Sequence, residues 1–124
     1  MKIVDDTSGD RLTAIVNDLR DFVRERDWEQ FHDPKNLVMA LVSEAGELAA
    51  EYRWVPNDAS DSWSHDPDNR ERIAGEAGDV GIALLLFLDR IGVDFVEAVR
   101  AKLEVNRVNY PQGPSRGKPD RLRT

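Results

Sequence analysis

Four stretches of the chain carry apolar residues at helical spacing. In the first, six apolar side chains from Leu12 to Val23 recur every three or four positions, which puts them on one face of a helix. An Asp-Pro pair opens the second and third stretches, and Asp94, with Glu97 three residues later, opens the fourth; all three are helix-capping arrangements. The first predicted helix covers about 10–26, and the second runs from Pro34 towards Trp54 and ends before Pro56. The third runs from Pro67 to about Arg90, with Gly92 as its C-terminal breaker. The fourth begins at Asp94 and ends before Pro111.

No stretch alternates apolar and polar residues convincingly, so the sequence predicts an all-α fold. The length of 124 residues suggests one domain, which we place over residues 1–110. Residues 55–66, rich in Asp, Ser and Pro, are expected to form a polar loop. The tail 111–124 is basic and lacks apolar periodicity, so we expect it to be flexible.

The third predicted helix holds a run of apolar residues without a polar side. From Val80 to Leu88, only Gly81 interrupts this run. A helix that is apolar all round must be buried all round, and four short helices have difficulty covering one of their own. We therefore expect a homo-oligomer whose subunit interface covers this helix. The alternative is a monomer with this helix at its centre.

The composition narrows the possible chemistry. Cysteine is absent and histidine occurs only at His32 and His65, which excludes disulfides, thiolate catalysis and cysteine-ligated zinc, and leaves little room for a histidine-based metal site. The net charge is −7, divided into −10 over residues 1–110 and +3 over residues 111–124. This balance argues against binding nucleic acid polymers through a global positive field.

The sequence shows no segment typical of export or membrane insertion. The first ten residues are polar, without the apolar core of a signal peptide. The run from Val80 to Leu88 is much shorter than the roughly 20 residues that a membrane span needs. We therefore expect a soluble, cytoplasmic protein with no membrane partner.

Two pairs of carboxylates interrupt the apolar helices. Glu44 and Glu47 lie in the second helix, and Glu76 and Asp79 in the third, each pair three residues apart and thus on one helix face. The residues between them are Ala and Gly, which are small enough to let two helices approach closely, so we expect the four carboxylates to converge. Surface ion pairs are the ordinary explanation for one such pair, but two matching pairs favour a metal site.

All-oxygen ligands suit Mg²⁺, with Mn²⁺ as a possible substitute. Carboxylate-bridged di-iron sites of the ferritin type need Glu-x-x-His, and neither His32 nor His65 lies three residues after a glutamate. The sequence therefore predicts a hard-metal site rather than a di-iron site.

Two further sets of residues are candidates for substrate binding. Lys102, Asn106 and Tyr110 form one stripe of the fourth helix, where a cation and an amide suit phosphate or sugar contacts, although a solvated stripe is the ordinary alternative. Trp28 and Trp54 bracket the second helix, where an aromatic face can stack on a nucleobase, although for either ring alone a core position is the favoured interpretation.

Taken together, these motifs resemble the all-α nucleotide pyrophosphohydrolases of the MazG-like superfamily, and within it the dCTP pyrophosphatase branch. The resemblance spans roughly Leu12 to Pro111. Its carriers are Arg26-Asp27-Trp28-Glu29-Gln30-Phe31-His32, Pro34-x-Asn36-Leu37, Glu44-x-x-Glu47, Trp54, Glu76-x-x-Asp79 and Lys102-x-x-x-Asn106-x-x-x-Tyr110-Pro111.

The resemblance implies a four-helix bundle assembled as a tetramer, or dimer of dimers, and a role in clearing the nucleotide pool. It implies hydrolysis of (deoxy)nucleoside triphosphates between the α and β phosphates, with pyrimidine substrates such as dCTP or modified dCTP. The matched residues take their roles from it: Mg²⁺ on Glu44, Glu47, Glu76 and Asp79, base and sugar contacts from Trp28 and Trp54, and phosphate or sugar contacts from Lys102, Asn106 and Tyr110. Glu47 is our candidate for the general base.

Two positions depart from the pattern of that branch. An aromatic residue often lies four positions after the last carboxylate, where this chain has Ala83, and a histidine lies nine positions before the first Trp, where it has Leu19. Both changes bear on base preference. One alternative is a catalytically silent helical oligomeric binding module, but the four intact carboxylates argue against it. Another is a phosphoribosyl-ATP pyrophosphohydrolase, but the Trp and Lys/Asn/Tyr elements argue against that activity.

Overall fold

A computed structural model describes residues 10–119 of the chain, and over these residues it contains helices and no strand. The all-α prediction is therefore confirmed. Two single 3₁₀ turns, Glu29–Phe31 and Asn57–Ala59, supplement the helices. The α-helices are α1 (Asp10–Glu25), α2 (Pro34–Tyr52), α3 (Ser60–His65), α4 (Pro67–Ile91), α5 (Phe95–Asn109) and α6 (Gln112–Ser115).

The ends of the main helices follow from capping residues that the sequence predicted. The Asp33 carboxylate accepts a hydrogen bond from the Asn36 N–H at 2.9 Å, and Asp66 and Asp94 cap α4 and α5 in the same way. Proline occupies the first position of α2 and of α4, where its missing N–H costs nothing. Gly92 ends α4 in the left-handed region, at φ +72°.

The prediction of an irregular loop over residues 55–66 is wrong. This segment forms the 3₁₀ turn Asn57–Ala59 and the short helix α3. Apolar periodicity does not reveal α3, because this helix has only six residues, most of them polar, and its C-terminal half makes two contacts with α2. Trp63 packs edge-on against Tyr52, with the ring centroids 5.0 Å apart, and Ser64 lies 2.6 Å from the Tyr52 hydroxyl.

Contacts divide the chain into two units, residues 1–92 and residues 93–124. In the first, the most extensive packing is between α2 and α4, with α1 and α3 also packed on α4. Arg20 of α1 forms an ion pair with Asp89 near the end of α4, with Nε 3.0 Å from Oδ1. The second unit contains α5 and the short helix α6, which lies in the tail predicted to be flexible.

The buried core of the described residues is small. Val23, Leu37 and Ala83 are 4–6% exposed, and no polar side chain among the described residues is buried with them. In the apolar run of α4, Ile82 remains 43% exposed, so a single chain does not bury this helix on all sides. Other large apolar side chains with high exposure include Met39, Val42, Trp54, Val99, Leu103 and Val108.

Among residues 10–119, no helix combines the length and the apolar character that crossing a bilayer requires.

A left-handed residue turns the chain at the end of α1. Asp27 has φ +55°; its N–H donates to the Arg24 carbonyl, and the Trp28 N–H donates to the Val23 carbonyl, each at 3.0 Å. This double hydrogen bond is a Schellman motif. It brings the Trp28 ring back against Phe22, with centroids 5.7 Å apart. The helix end therefore sets where Trp28 lies.

Replacing Asp27 tests the cost of this turn. Asp27→Gly should raise the free energy of unfolding by about 0.5–1 kcal/mol, because glycine adopts positive φ without strain. Asp27→Ala should lower it, because alanine meets the full penalty of the left-handed region. Urea denaturation followed by circular dichroism measures both. Equal stability of the two variants would contradict this reading of the turn.

Candidate active site

Three of the four predicted carboxylates converge between α2 and α4. One carboxylate oxygen from each of Glu44, Glu47 and Glu76 lies within 4.8 Å of the others. Glu44 and Glu76 are half-buried, and Glu47 is exposed. Asp79 lies outside this triad, but its charge acts on both half-buried glutamates. We refer to Glu44, Glu47, Glu76 and Asp79 as the carboxylate cluster.

The electrostatics of the carboxylate cluster are those of like charges held close together. Partial burial, followed by the charges of Glu47 and Asp79, raises the pKa of Glu44 above its ordinary value. Burial also raises the pKa of Glu76, with further contributions from Glu47, Asp79, Glu51 and Glu44 in that order. The ionised carboxylates of the cluster therefore repel one another, and a divalent cation would relieve that repulsion.

The explanation offered for the glycines is wrong within one chain. We expected Gly46 and Gly78 to allow a close approach of the two helices, but a Cβ atom at either position would meet nothing within 4 Å. Ala45 and Ala77 beside them are exposed as well. Within one chain this small-residue surface is therefore open.

Beyond the cluster, a polar network joins α2, α3 and α4. The Arg72 Nε donates to Glu51 Oε1 at 3.1 Å, and its Nη2 donates to Asn69 Oδ1 at 2.9 Å. The Asn69 Nδ2 donates in turn to the carbonyl of Trp63 at 3.0 Å. Since Glu51 follows Glu47 on α2 while Arg72 precedes Glu76 on α4, the two helices are antiparallel.

The sequence analysis missed this network, although part of its signal is present. Glu51 lies four residues after Glu47 and Arg72 four residues before Glu76, which places each on the same helix face as the cluster. Trp63, which had no predicted role, anchors α3 on Tyr52. The pairing across the two helices depends on their register, which helical spacing alone does not predict.

The two predicted aromatic residues are accessible. Trp28 is 43% exposed and Trp54 is 85% exposed, so neither is a core residue within one chain. The Trp28 ring contacts Phe22, and the Arg53 guanidinium lies 5.5 Å from the Trp54 ring centroid. Both rings are thus available for contact with a ligand or another subunit.

Arg90 supports the segment that follows Trp28. Its Nη1 donates to the carbonyl of His32 at 2.7 Å and lies 3.4 Å from that of Glu29. A cavity of about 450 Å³ opens beside this contact, also lined by Arg20 and Asp89, and the carboxylate cluster does not line it.

Lys102, Asn106 and Tyr110 belong to the second unit. They share one face of α5 and its C-terminal cap, where the Tyr110 N–H donates to the Asn106 carbonyl at 2.7 Å. Lys102 is exposed, while Asn106 and Tyr110 are half-buried. The predicted polar stripe is therefore present on α5; its contact with substrate stays a prediction.

The donor set of the cluster fits a hard divalent cation. All three triad ligands are carboxylate oxygens close enough together to share one ion, without nitrogen or sulfur ligands. Such a site can neutralise a polyphosphate and orient a water molecule for attack. The overall acidity of the protein is no obstacle, because a bound cation would lie between the protein and the anion.

Comparisons with known proteins agree with this chemistry. The chain is 42% identical over 97 residues to dCTP pyrophosphatase 1 of Bos taurus, covering 78% of the chain and 57% of that protein. It is 42% identical over 91 residues to dCTP pyrophosphatase 1 of Homo sapiens, covering 73% and 54% respectively. The chain thus spans little more than half the length of these curated relatives.

A solved structure supports the fold. A pyrophosphatase from Archaeoglobus fulgidus matches with a TM-score of 0.74 and 29% identity, over 82% of this chain and 93% of that one. No protein-family model matches the chain.

Repulsion in the cluster predicts an unusual pH dependence. Because the folded protein binds a proton at Glu76 more readily than the unfolded chain, metal-free stability should rise as the pH falls from neutral through the raised pKa. Glu76→Gln should raise the melting temperature at neutral pH and flatten this dependence, and it should abolish stabilisation by Mg²⁺. Differential scanning fluorimetry with and without chelator measures these effects.

Glu71→Gln is the matched control, because it removes the same charge from an exposed position of α4. If both variants have the same melting temperature at every pH and Mg²⁺ concentration, repulsion within the cluster does not lower the stability of the metal-free protein.

Proposed function

Because the chain belongs to the MazG-like all-α nucleotide pyrophosphohydrolases, we propose that it hydrolyses (deoxy)nucleoside triphosphates to the monophosphate and pyrophosphate. The observation that carries this proposal is the convergence of Glu44, Glu47 and Glu76 on one potential metal position. The printed names of the curated relatives favour dCTP as substrate. Mg²⁺ is the proposed cofactor, with Mn²⁺ as a substitute.

The proposed reaction follows from what the cluster can hold. Its four carboxylates would hold the divalent cation, which would neutralise phosphate charge. Glu47, the exposed member of the triad, accepts the proton of the attacking water. The water oxygen then bonds to the α-phosphorus, the bond from that phosphorus to the α–β bridging oxygen breaks, and pyrophosphate leaves.

Substrate contacts are assigned by the resemblance and supported by exposure. Trp28 and Trp54 offer accessible rings for the base and sugar, and Lys102, Asn106 and Tyr110 offer groups that bind phosphate or sugar. Ala83 is 6% exposed, so it adds no aromatic surface where the dCTP branch often has a ring. The printed names of the relatives support pyrimidine substrates, and the missing ring at Ala83 is the reason to include modified dCTP among them.

We also propose a four-helix bundle that assembles as a tetramer, or dimer of dimers. Exposed apolar side chains on α2, α4 and α5 support this assembly, because monomeric proteins rarely leave so much large apolar surface in water. The small residues between the carboxylates, open within one chain, would suit a close subunit contact. Sedimentation velocity would measure the assembly.

Product analysis tests the reaction. With Mg²⁺ and a panel of canonical and modified nucleoside triphosphates, we expect the monophosphate and pyrophosphate in equal amounts, with fastest turnover on a pyrimidine deoxynucleotide. Chromatography with phosphate-specific detection identifies the products. Diphosphate plus orthophosphate would contradict cleavage between the α and β phosphates, and absence of turnover across the panel would favour a silent binding module.

Replacing Glu47 tests its role as the base. Glu47→Ala should lower kcat at least about a hundredfold, because neither proton acceptor nor full cation site remains. Its oligomeric state should be unchanged because the side chain is exposed, and its metal-free melting temperature should rise slightly because the charge that repels Glu44 and Glu76 is removed. Exposed Glu97→Ala on α5 is the control and should retain activity. Retained activity in Glu47→Ala would refute the assignment.

A further inference from the structure

The ion pair between Glu51 and Arg72 lies one helical turn from the carboxylate cluster on both helices that build it. Glu51 follows Glu47 by four residues on α2, and Arg72 precedes Glu76 by four on α4. The Glu51 side chain is 22% exposed, whereas that of Arg72 is 51% exposed. The carboxylate is therefore the more enclosed partner of the pair.

The charge of Glu51 reaches the cluster. Together with cluster members, it raises the pKa of Glu76. An unpaired Glu51 would thus act as a fifth negative charge beside the metal position. Its flexible side chain would also be close enough in sequence and register to compete for the cation.

Two hydrogen bonds hold the Arg72 side chain in place. The guanidinium Nε donates a hydrogen bond to Glu51, and Nη2 donates one to the side chain of Asn69. Asn69 is itself anchored on the Trp63 carbonyl at the end of α3. Because α3 is in turn fixed to Tyr52, the residue after Glu51, the network closes on itself.

We propose that Arg72 is a positioning residue that holds Glu51 away from the divalent cation, so that the four carboxylates of the cluster bind the cation without a fifth. A fifth carboxylate would tighten metal binding but leave less positive potential for the triphosphate. This role of Arg72 rests on the metal site of the proposed function and deepens it. It would explain how an acidic protein keeps the negative charge beside the cation to four carboxylates.

Metal binding without nucleotide gives the direct test. Mn²⁺ is titrated into the full chain and free Mn²⁺ is followed by electron paramagnetic resonance. Arg72→Met should bind Mn²⁺ about three- to tenfold more tightly than wild type, because Glu51 is released towards the site. Arg72→Lys, which keeps the charge, should stay near wild type. The double variant with Glu51→Gln should return to wild-type affinity.

Arg70→Met is the matched control. It removes the same charge two residues away on α4, where Arg70 is exposed and forms no ion pair with another of residues 10–119. Melting temperatures show that each variant is folded. In turnover assays, Arg72→Met should raise the KM for the nucleotide more than it lowers kcat.

The outcomes separate this inference from the proposed function. If wild type binds Mn²⁺ but Arg72→Met matches Arg70→Met, or if tighter binding persists in the double variant, the positioning role of Arg72 is refuted while the metal site stands. If wild type binds no Mn²⁺, the metal site and this inference both fail.

Discussion

Repulsion between carboxylates is the constraint on which the rest of this structure depends. Glu44, Glu47 and Glu76 bring oxygen atoms within 4.8 Å of one another in a half-buried position, with Asp79 adding its charge. The small residues beside the acids are exposed, so they bury little apolar surface that could offset the repulsion. The packing of α2 on α4 elsewhere along their length must hold the charges together.

The elements around the cluster also hold α2 and α4 together. Helix caps set where α2 and α4 begin, and the pairs Arg20–Asp89 and Arg72–Glu51 link neighbouring helices by opposite charges. The short helix α3 packs on α4 and contributes the carbonyl that anchors Asn69. The described residues thus balance a charge-rich site with polar contacts at its edges rather than with a large buried core.

Much of this was predictable from local sequence. The Asp-Pro starts and the glycine stop are governed by hydrogen bonds and φ values within a few residues, so the ends of α2 and α4 follow within a few positions. The pairing of acids on one face follows from 3.6 residues per turn. By contrast, α3 and the Glu51–Arg72 pair were missed, because each depends on side chains brought together from different helices.

The sequence by itself determined the all-α class, the main helices and the faces that carry the carboxylates, since capping and helical periodicity are local properties. Only the tertiary structure decided that Glu44, Glu47 and Glu76 share one position, that the glycines beside them meet no neighbouring helix, and that Arg72 pairs with Glu51. These facts depend on the register and spacing of α2 against α4. That register is set by packing summed over both helices, which no single motif encodes.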